Sequence, residues 1–110
     1  MTDLSLVLVT APNDDVAARL ARGLVEGGLA ACVNVVPGVR SFYVWKGALE
    51  EETEVQLLIK TRRERFDELA AWIGEHHPYE VPEILAVPIE NGSPAYLTWV
   101  REQTKARAVL

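Results

Sequence analysis

The chain has 110 residues, 49% of them hydrophobic and 25% charged, with a formal net charge of −5. That suits one globular domain over residues 1–110, able to bury about two-thirds of its unfolded surface. It carries no general basic field for nucleic acid, no apolar run of the roughly 18 residues a membrane span needs, and, with Cys32 its only cysteine, no internal disulfide framework. The opening Met-Thr-Asp-Leu-Ser lacks the basic-then-apolar shape of a signal peptide, so the expectation is a cytoplasmic protein.

Residues 4–9 are nearly all apolar and read as a first strand, central and covered on both faces. A first helix follows, with Asn13 as its N-cap and Asp14 and Asp15 at the positive end of the helix dipole. Val16, Leu20 and Leu24, with Ala17 and Ala21, repeat at helical spacing, and Gly27-Gly28 ends the run. Residues 29–60 then read as one long β-hairpin. Val33, Val35, Val36, Val39, Phe42, Tyr43, Val44 and Trp45 suit a pleated surface, Lys46-Gly47 marks the reversal, and Val55, Leu57, Leu58 and Ile59 lie on the return arm. At about 3.3 Å per residue, a first arm over residues 30–45 would be roughly 50 Å long, well beyond a usual strand. Its tip should therefore project past the core. A two-stranded ribbon is marginal in water, and burying each of Phe42, Tyr43 and Trp45 is worth roughly 1.5–3 kcal/mol. The inference is that another copy of the chain covers the ribbon; the alternative is a shorter strand that bends at Pro37-Gly38 and folds back over its own core.

Thr61 and Glu64 match a capping box for a second helix. Phe66, Leu69 and Ile73 form its stripe, Trp72 lies at the margin, and Pro78 stops it. Residues 83–89 read as a fourth strand, Asn91-Gly92 as a turn, and Ser93-Pro94 as the start of a third helix with Tyr96, Leu97 and Val100 inward. The tail over residues 105–110 reads as frayed, with Val109-Leu110 able to dock. A faint repeat at an offset of 51 overlays Leu4-Ser-Leu-Val-Leu-Val-Thr on Val55-Gln-Leu-Leu-Ile-Lys-Thr. Two βαβ halves joined by a hairpin make an α+β, ferredoxin-like antiparallel sheet with helices on one face and a long protruding hairpin between strands two and three. Right-handed crossovers place strands one and three side by side in the middle; an α/β sheet of different strand order is the alternative.

The sequence holds no Gly-rich phosphate loop, nucleophile elbow or paired-cysteine zinc pattern. What stands out is His76-His77-Pro78-Tyr79-Glu80-Val81-Pro82-Glu83. Neighbouring histidines on a helix point about 100° apart, but Pro78 frees His77 to swing toward another element, and Glu80 and Glu83 could add carboxylate oxygens. Nitrogen ligands with nearby oxygens suit copper(II), nickel or zinc. The competing reading is that His77 and Tyr79 satisfy a buried loop through hydrogen bonds. Cys32 reads as a small core residue, the acidic run Glu50, Glu51, Glu52 and Glu54 as a solvated face that gathers cations weakly, and Lys60 as a strand lysine in need of a partner, Glu83 being one candidate.

Four blocks in order, Leu29-Ala-Ala-Cys-Val-Asn-Val-Val-Pro-Gly, Ser41-Phe-Tyr-Val-Trp-Lys-Gly, Glu54-Val-Gln-Leu-Leu-Ile-Lys-Thr and His76-His-Pro-Tyr-Glu-Val-Pro-Glu-Ile, with Tyr96-Leu-Thr-Trp after them, resemble the CutA family of divalent-cation tolerance proteins. The resemblance implies a ferredoxin-like fold, a tight homotrimer interlocked by long hairpins with Phe42, Tyr43 and Trp45 in the interface, and a role in tolerance to copper and other divalent cations. It implies metal ligation by His76 and His77, and some members add a cysteine where this chain has Val9, which cannot ligate; the expectation for this chain is that His77 leads as ligand, then His76, with Glu83 or a neighbouring subunit completing the shell. It also implies an intersubunit cleft collecting Trp45, Lys60, His77, Tyr79 and Glu83. The expected function is a non-catalytic cation-response protein that binds Cu2+ or a similar ion weakly. The alternative is a signalling module like the PII proteins, with a small anionic ligand or partner protein in that cleft.

Overall fold

The computed structural model describes residues 2–106. Its elements run β1 (Leu4–Ala11), α1 (Asp14–Glu26), β2 (Cys32–Trp45), β3 (Ala48–Arg62), a 3-10 turn (Arg63–Arg65), α2 (Phe66–His76), β4 (Ile84–Pro88) and α3 (Pro94–Gln103). The sheet order is β2-β3-β1-β4 with every neighbouring pair antiparallel, so β1 and β3 are central, as the repeat implies. This is the ferredoxin-like arrangement.

Side chains alternate across the sheet. Val7 and Val9 of β1, with Val55, Leu57 and Ile59 of β3, face α1 and α2 and pack against Leu20, Leu24, Leu69 and Ile73 as the main core. The helices form where the spacing requires. Asn13 Oδ1 accepts the Val16 N–H at 2.9 Å to start α1, and the backbone turns out of it at Gly28, φ 72°. Ser93 Oγ accepts the Tyr96 N–H and Pro94 occupies the first turn of α3.

Three expectations change. Thr61 does not cap α2: β3 continues to Arg62, Thr61 is fully buried, and its hydroxyl donates to Leu29 O at 2.7 Å, while a 3-10 turn leads into the helix. Strand β1 has α1 and α2 over one face, whereas on its other face α3 reaches the first residue, Leu4, through Val100 and leaves the rest uncovered. Its even-numbered Leu6 and Leu8 are half-buried and lie in register with exposed Val87 and Leu85 of β4. Tyr96 is not inward; Val100 packs with Leu4 and Ala31, whereas Tyr96 is exposed against Trp99. The suggested docking of Val109-Leu110 lies outside the described residues.

The ribbon is as long as the sequence indicates, with 14 residues in β2 and 15 in β3. Lys46 and Gly47 both take positive φ, 50° and 82°, the two-residue turn that matches strand twist. Pro37-Gly38 does not fold the strand back. It makes a bulge between Val36 and Val39, with Gly38 at φ 78°, and pairing resumes up to Trp45–Ala48. Phe42 (59% exposed), Val44 and Leu49 are left in the open.

Two substitutions test these local devices. Asn13→Ala removes an N-cap and is expected to cost about 1 kcal/mol. Gly47→Ala meets no neighbour within 4 Å, so its expected loss, also about 1 kcal/mol, comes from backbone conformation alone. Urea denaturation with an unchanged m-value checks both.

Candidate functional site

Helix α2 ends because proline follows: Pro78 disfavours the α conformation at His77, whose backbone is extended (φ −88°, ψ 138°) while its N–H still bonds Ile73 O. The His77 ring then turns into the protein and is 7% exposed. Its Nδ1 accepts the Tyr79 N–H at 3.1 Å, so Nε2 carries the proton and donates to Thr10 O at 2.8 Å. Tyr79 packs its ring 4.7 Å from His77 and donates its hydroxyl to Glu54 Oε2 at 2.8 Å. One hydrogen-bonded chain thus ties the end of β1, the corner after α2 and the ribbon strand β3. Burial, and then the Glu54 carboxylate, push the Tyr79 phenol well above the ordinary tyrosine range.

His76 is placed differently. It is exposed, stacks on Trp72 with centroids 4.1 Å apart, and donates Nδ1–H to Trp72 O at 2.7 Å, leaving the Nε2 lone pair free. A ring nitrogen tied to a backbone carbonyl is the arrangement that orients metal-binding histidines. Trp72 is itself fixed, for its ring lies against Gly23, where even a Cβ would come within 2.5 Å.

Between the corner and the ribbon lies an open cleft of about 740 Å³. Tyr43, Trp45 and Tyr79 supply aromatic wall. Glu50, Glu52 and Glu54 enter from alternate positions of β3, and Glu80 and Glu83 from the corner. Among the described residues no lysine, arginine or histidine lines it, although Lys46 Nζ comes within 3.9 Å of Oε2 of the lining Glu80. The structure therefore brings Trp45, Tyr79 and Glu83 together, as expected, with His77 behind them as the support for Tyr79. Lys60 is not among them. Its ammonium group donates to Asn34 Oδ1 and lies 3.8 Å from Cys32 Sγ, so the suggested Lys60–Glu83 contact is not made within one chain. Cys32 belongs to that strand surface, half-buried, rather than to the core.

Sequence reasoning missed Glu54. It lies in an acidic run, yet it is 5% exposed and partnered by Tyr79. Strand alternation was the available signal, because residues 50, 52 and 54 share one side of the pleat. For a metal ion, a single chain does not fit as a complete site. Both ring nitrogens of His77 are engaged, Val9 is buried in the core, and no three His, Cys, Asp or Glu side chains converge among the described residues.

Fold and site together define a small ferredoxin-like domain with a projecting ribbon and an acid-lined aromatic cleft. The description "CutA1 divalent ion tolerance protein" matches residues 5–103, and the chain belongs to that family. It is 57% identical over 97 residues to a CutA homologue of Xenopus laevis, covering 88% of this chain and 64% of that protein. It is 48% identical over 99 residues to the divalent-cation tolerance protein CutA of Thermus thermophilus, covering 90% and 96%. The chain thus spans under two-thirds of the frog relative and nearly all of the bacterial one. A solved Cut A1 structure from Thermus thermophilus superposes with a TM-score of 0.90 at 47% identity, over 93% of this chain and 99% of that one.

Tyr79→Phe is expected to leave the Glu54 carboxylate without its donor and cost about 1–3 kcal/mol, read as a lower melting temperature at neutral pH. The pH dependence has a definite sign. Because folding raises the phenol's pKa, the fold resists ionisation, and stability falls as pH climbs past the unfolded tyrosine value of about 10. Absorbance titration at alkaline pH should lose its latest tyrosine step in the variant.

Proposed function

We propose that the protein acts in divalent metal cation tolerance as a non-catalytic homotrimer that binds copper or a similar divalent ion weakly beside the His76-His77-Pro78-Tyr79 corner. The observation that carries the assembly is the uncovered apolar sheet face. Leu6, Leu8, Leu58, Leu85 and Val87 lie on the side away from α1 and α2, and the ribbon aromatics Phe42, Tyr43 and Trp45 are exposed as well. A contiguous apolar face of this kind invites a partner surface, and the free outer edges of β2 and β4 offer backbone pairing to it. The names of the relatives support the cation role. A cytoplasmic location belongs to the same reading.

Within this reading the expected order of the two histidines is reversed: His76 leads as metal ligand, since its Nε2 is unoccupied, and His77, both of whose ring nitrogens are engaged, supports the corner. Glu83 or a group from a second copy completes a weak shell. The acidic lining of the cleft favours a cation there over the small anion of a PII-like module.

Light scattering should give about three times the 12.2 kDa of one chain, and Leu85→Asp/Val87→Asp should lower that mass. Persistence of a single-chain mass in the wild type at micromolar concentration would remove the assembly. Copper(II) calorimetry should show weak binding that His76→Ala abolishes. It should also fade in acid, because protonated imidazole has no lone pair to give. Identical isotherms for wild type and His76→Ala would remove the metal reading.

A further inference from the structure

An exposed histidine at the end of a helix is ordinarily free to rotate, and holding it in one rotamer costs conformational entropy. His76 is exposed yet held at two points. Its ring lies on the Trp72 ring, centroids 4.1 Å apart and planes 18° from parallel, and its Nδ1 stands 2.7 Å from Trp72 O. Residues four apart on a helix are surface neighbours, so one residue supplies both the stacking face and the carbonyl. A carbonyl oxygen only accepts, so Nδ1 carries a proton and the neutral ring keeps its lone pair on Nε2. A histidine without such partners holds its one neutral-form proton mainly on Nε2. The contacts with Trp72 therefore select the less common tautomer.

Trp72 is held in turn from another helix. Its ring packs against the main core and lies over Gly23 of α1, where a Cβ would stand 2.5 Å from both Cη2 and Cζ2. Those two atoms form the outer edge of the indole, so any side chain at position 23 displaces the ring. The dependence runs from α1 to the end of α2. The missing side chain of Gly23 makes the room, the indole fills it, and the imidazole is laid on the indole with one nitrogen tied. Among the described residues no partner takes up the other nitrogen.

We propose that Trp72, seated on Gly23, is the positioning residue for His76, fixing its imidazole as the Nδ1–H tautomer so that the Nε2 lone pair is left for a divalent ion. The ion itself belongs to the metal reading above, on which this rests, whereas the tautomer is a property of the chain alone and is measured without metal.

NMR of the isotope-labelled ring nitrogens in the full chain, at about pH 8.5 where an ordinary imidazole is neutral, reads the tautomer. Wild-type His76 should be protonated on Nδ1, with His77, protonated on Nε2, as the internal reference. Gly23→Ala should return His76 to the Nε2–H form and leave His77 unchanged. Copper(II) calorimetry reads the consequence. Gly23→Ala and Trp72→Ala should each weaken binding about ten-fold, as losing the outer support of a ligand does. Trp72→Phe keeps a ring under the imidazole and should stay within about two-fold of wild type. A merely structural Trp72 would lower the melting temperature of these variants without moving tautomer or affinity. Wild-type His76 in the Nε2–H form would overturn the proposal, as would a tautomer and a copper affinity that Gly23→Ala leaves unaltered. A wild type that binds no copper overturns the metal reading, and the positioning is then upheld or overturned by the response of the tautomer to Gly23→Ala. Should Trp72→Ala fail to fold, Gly23→Ala decides alone, because alanine suits a helix interior and only a side-chain ring has to move.

Discussion

The pleat of β3 is the constraint on which the molecule depends. This one strand is central to the sheet and also forms half of the ribbon, and its side chains keep strict alternation over both parts. Val55, Leu57 and Ile59 fill the space under the helices. Glu50, Glu52 and Glu54 use the opposite phase of the same pleat to line the cleft. Core and site are therefore not independent modules. A register slip of one residue in β3 would expose the core set and bury the carboxylates at once.

The corner after α2 converts that linear order into a pocket. Its rigidity comes from a proline that ends the helix and from a histidine that serves as a spacer, with one ring nitrogen turned to β1 and the other to the corner's own backbone. Tyr79 closes the arrangement by reaching back to β3. Most of the chain's uncommon chemistry is thus spent on holding a loop against a ribbon. The neighbouring histidine, one residue away and outside this network, is left with a free nitrogen.

Much of the architecture was legible in the sequence, for physical reasons that can be named. The ribbon announced itself through β-branched and aromatic runs around Lys46-Gly47, and the first and third helices through Asn13 and Ser93. Thr61 misled because a capping pattern carries no information about whether the preceding strand has ended. The apolar first strand was read as covered twice, a statement about burial that one chain does not satisfy; Leu6 and Leu8 still await a cover. At the site, residue types revealed the histidines but not their roles. A ring's tautomer is fixed by partners distant in sequence, as Thr10 fixes that of His77. The burial of Glu54 was equally hidden, since it depends on Tyr79, twenty-five positions away.

The bulge at Pro37-Gly38 has an effect out of proportion to its size. Before it, even-numbered residues of β2 sit opposite even-numbered residues of β3, as Asn34 does Leu58; after it, odd sits opposite even, as Tyr43 does Glu50. The single additional residue acts as a parity switch for the outer arm. It is the reason a phenol and an indole look toward the carboxylates while Phe42 and Val44 look away. Excising one residue there would leave the ladder intact but exchange the two sides of the arm, setting Arg40, Phe42 and Val44 where Ser41, Tyr43 and Trp45 now stand.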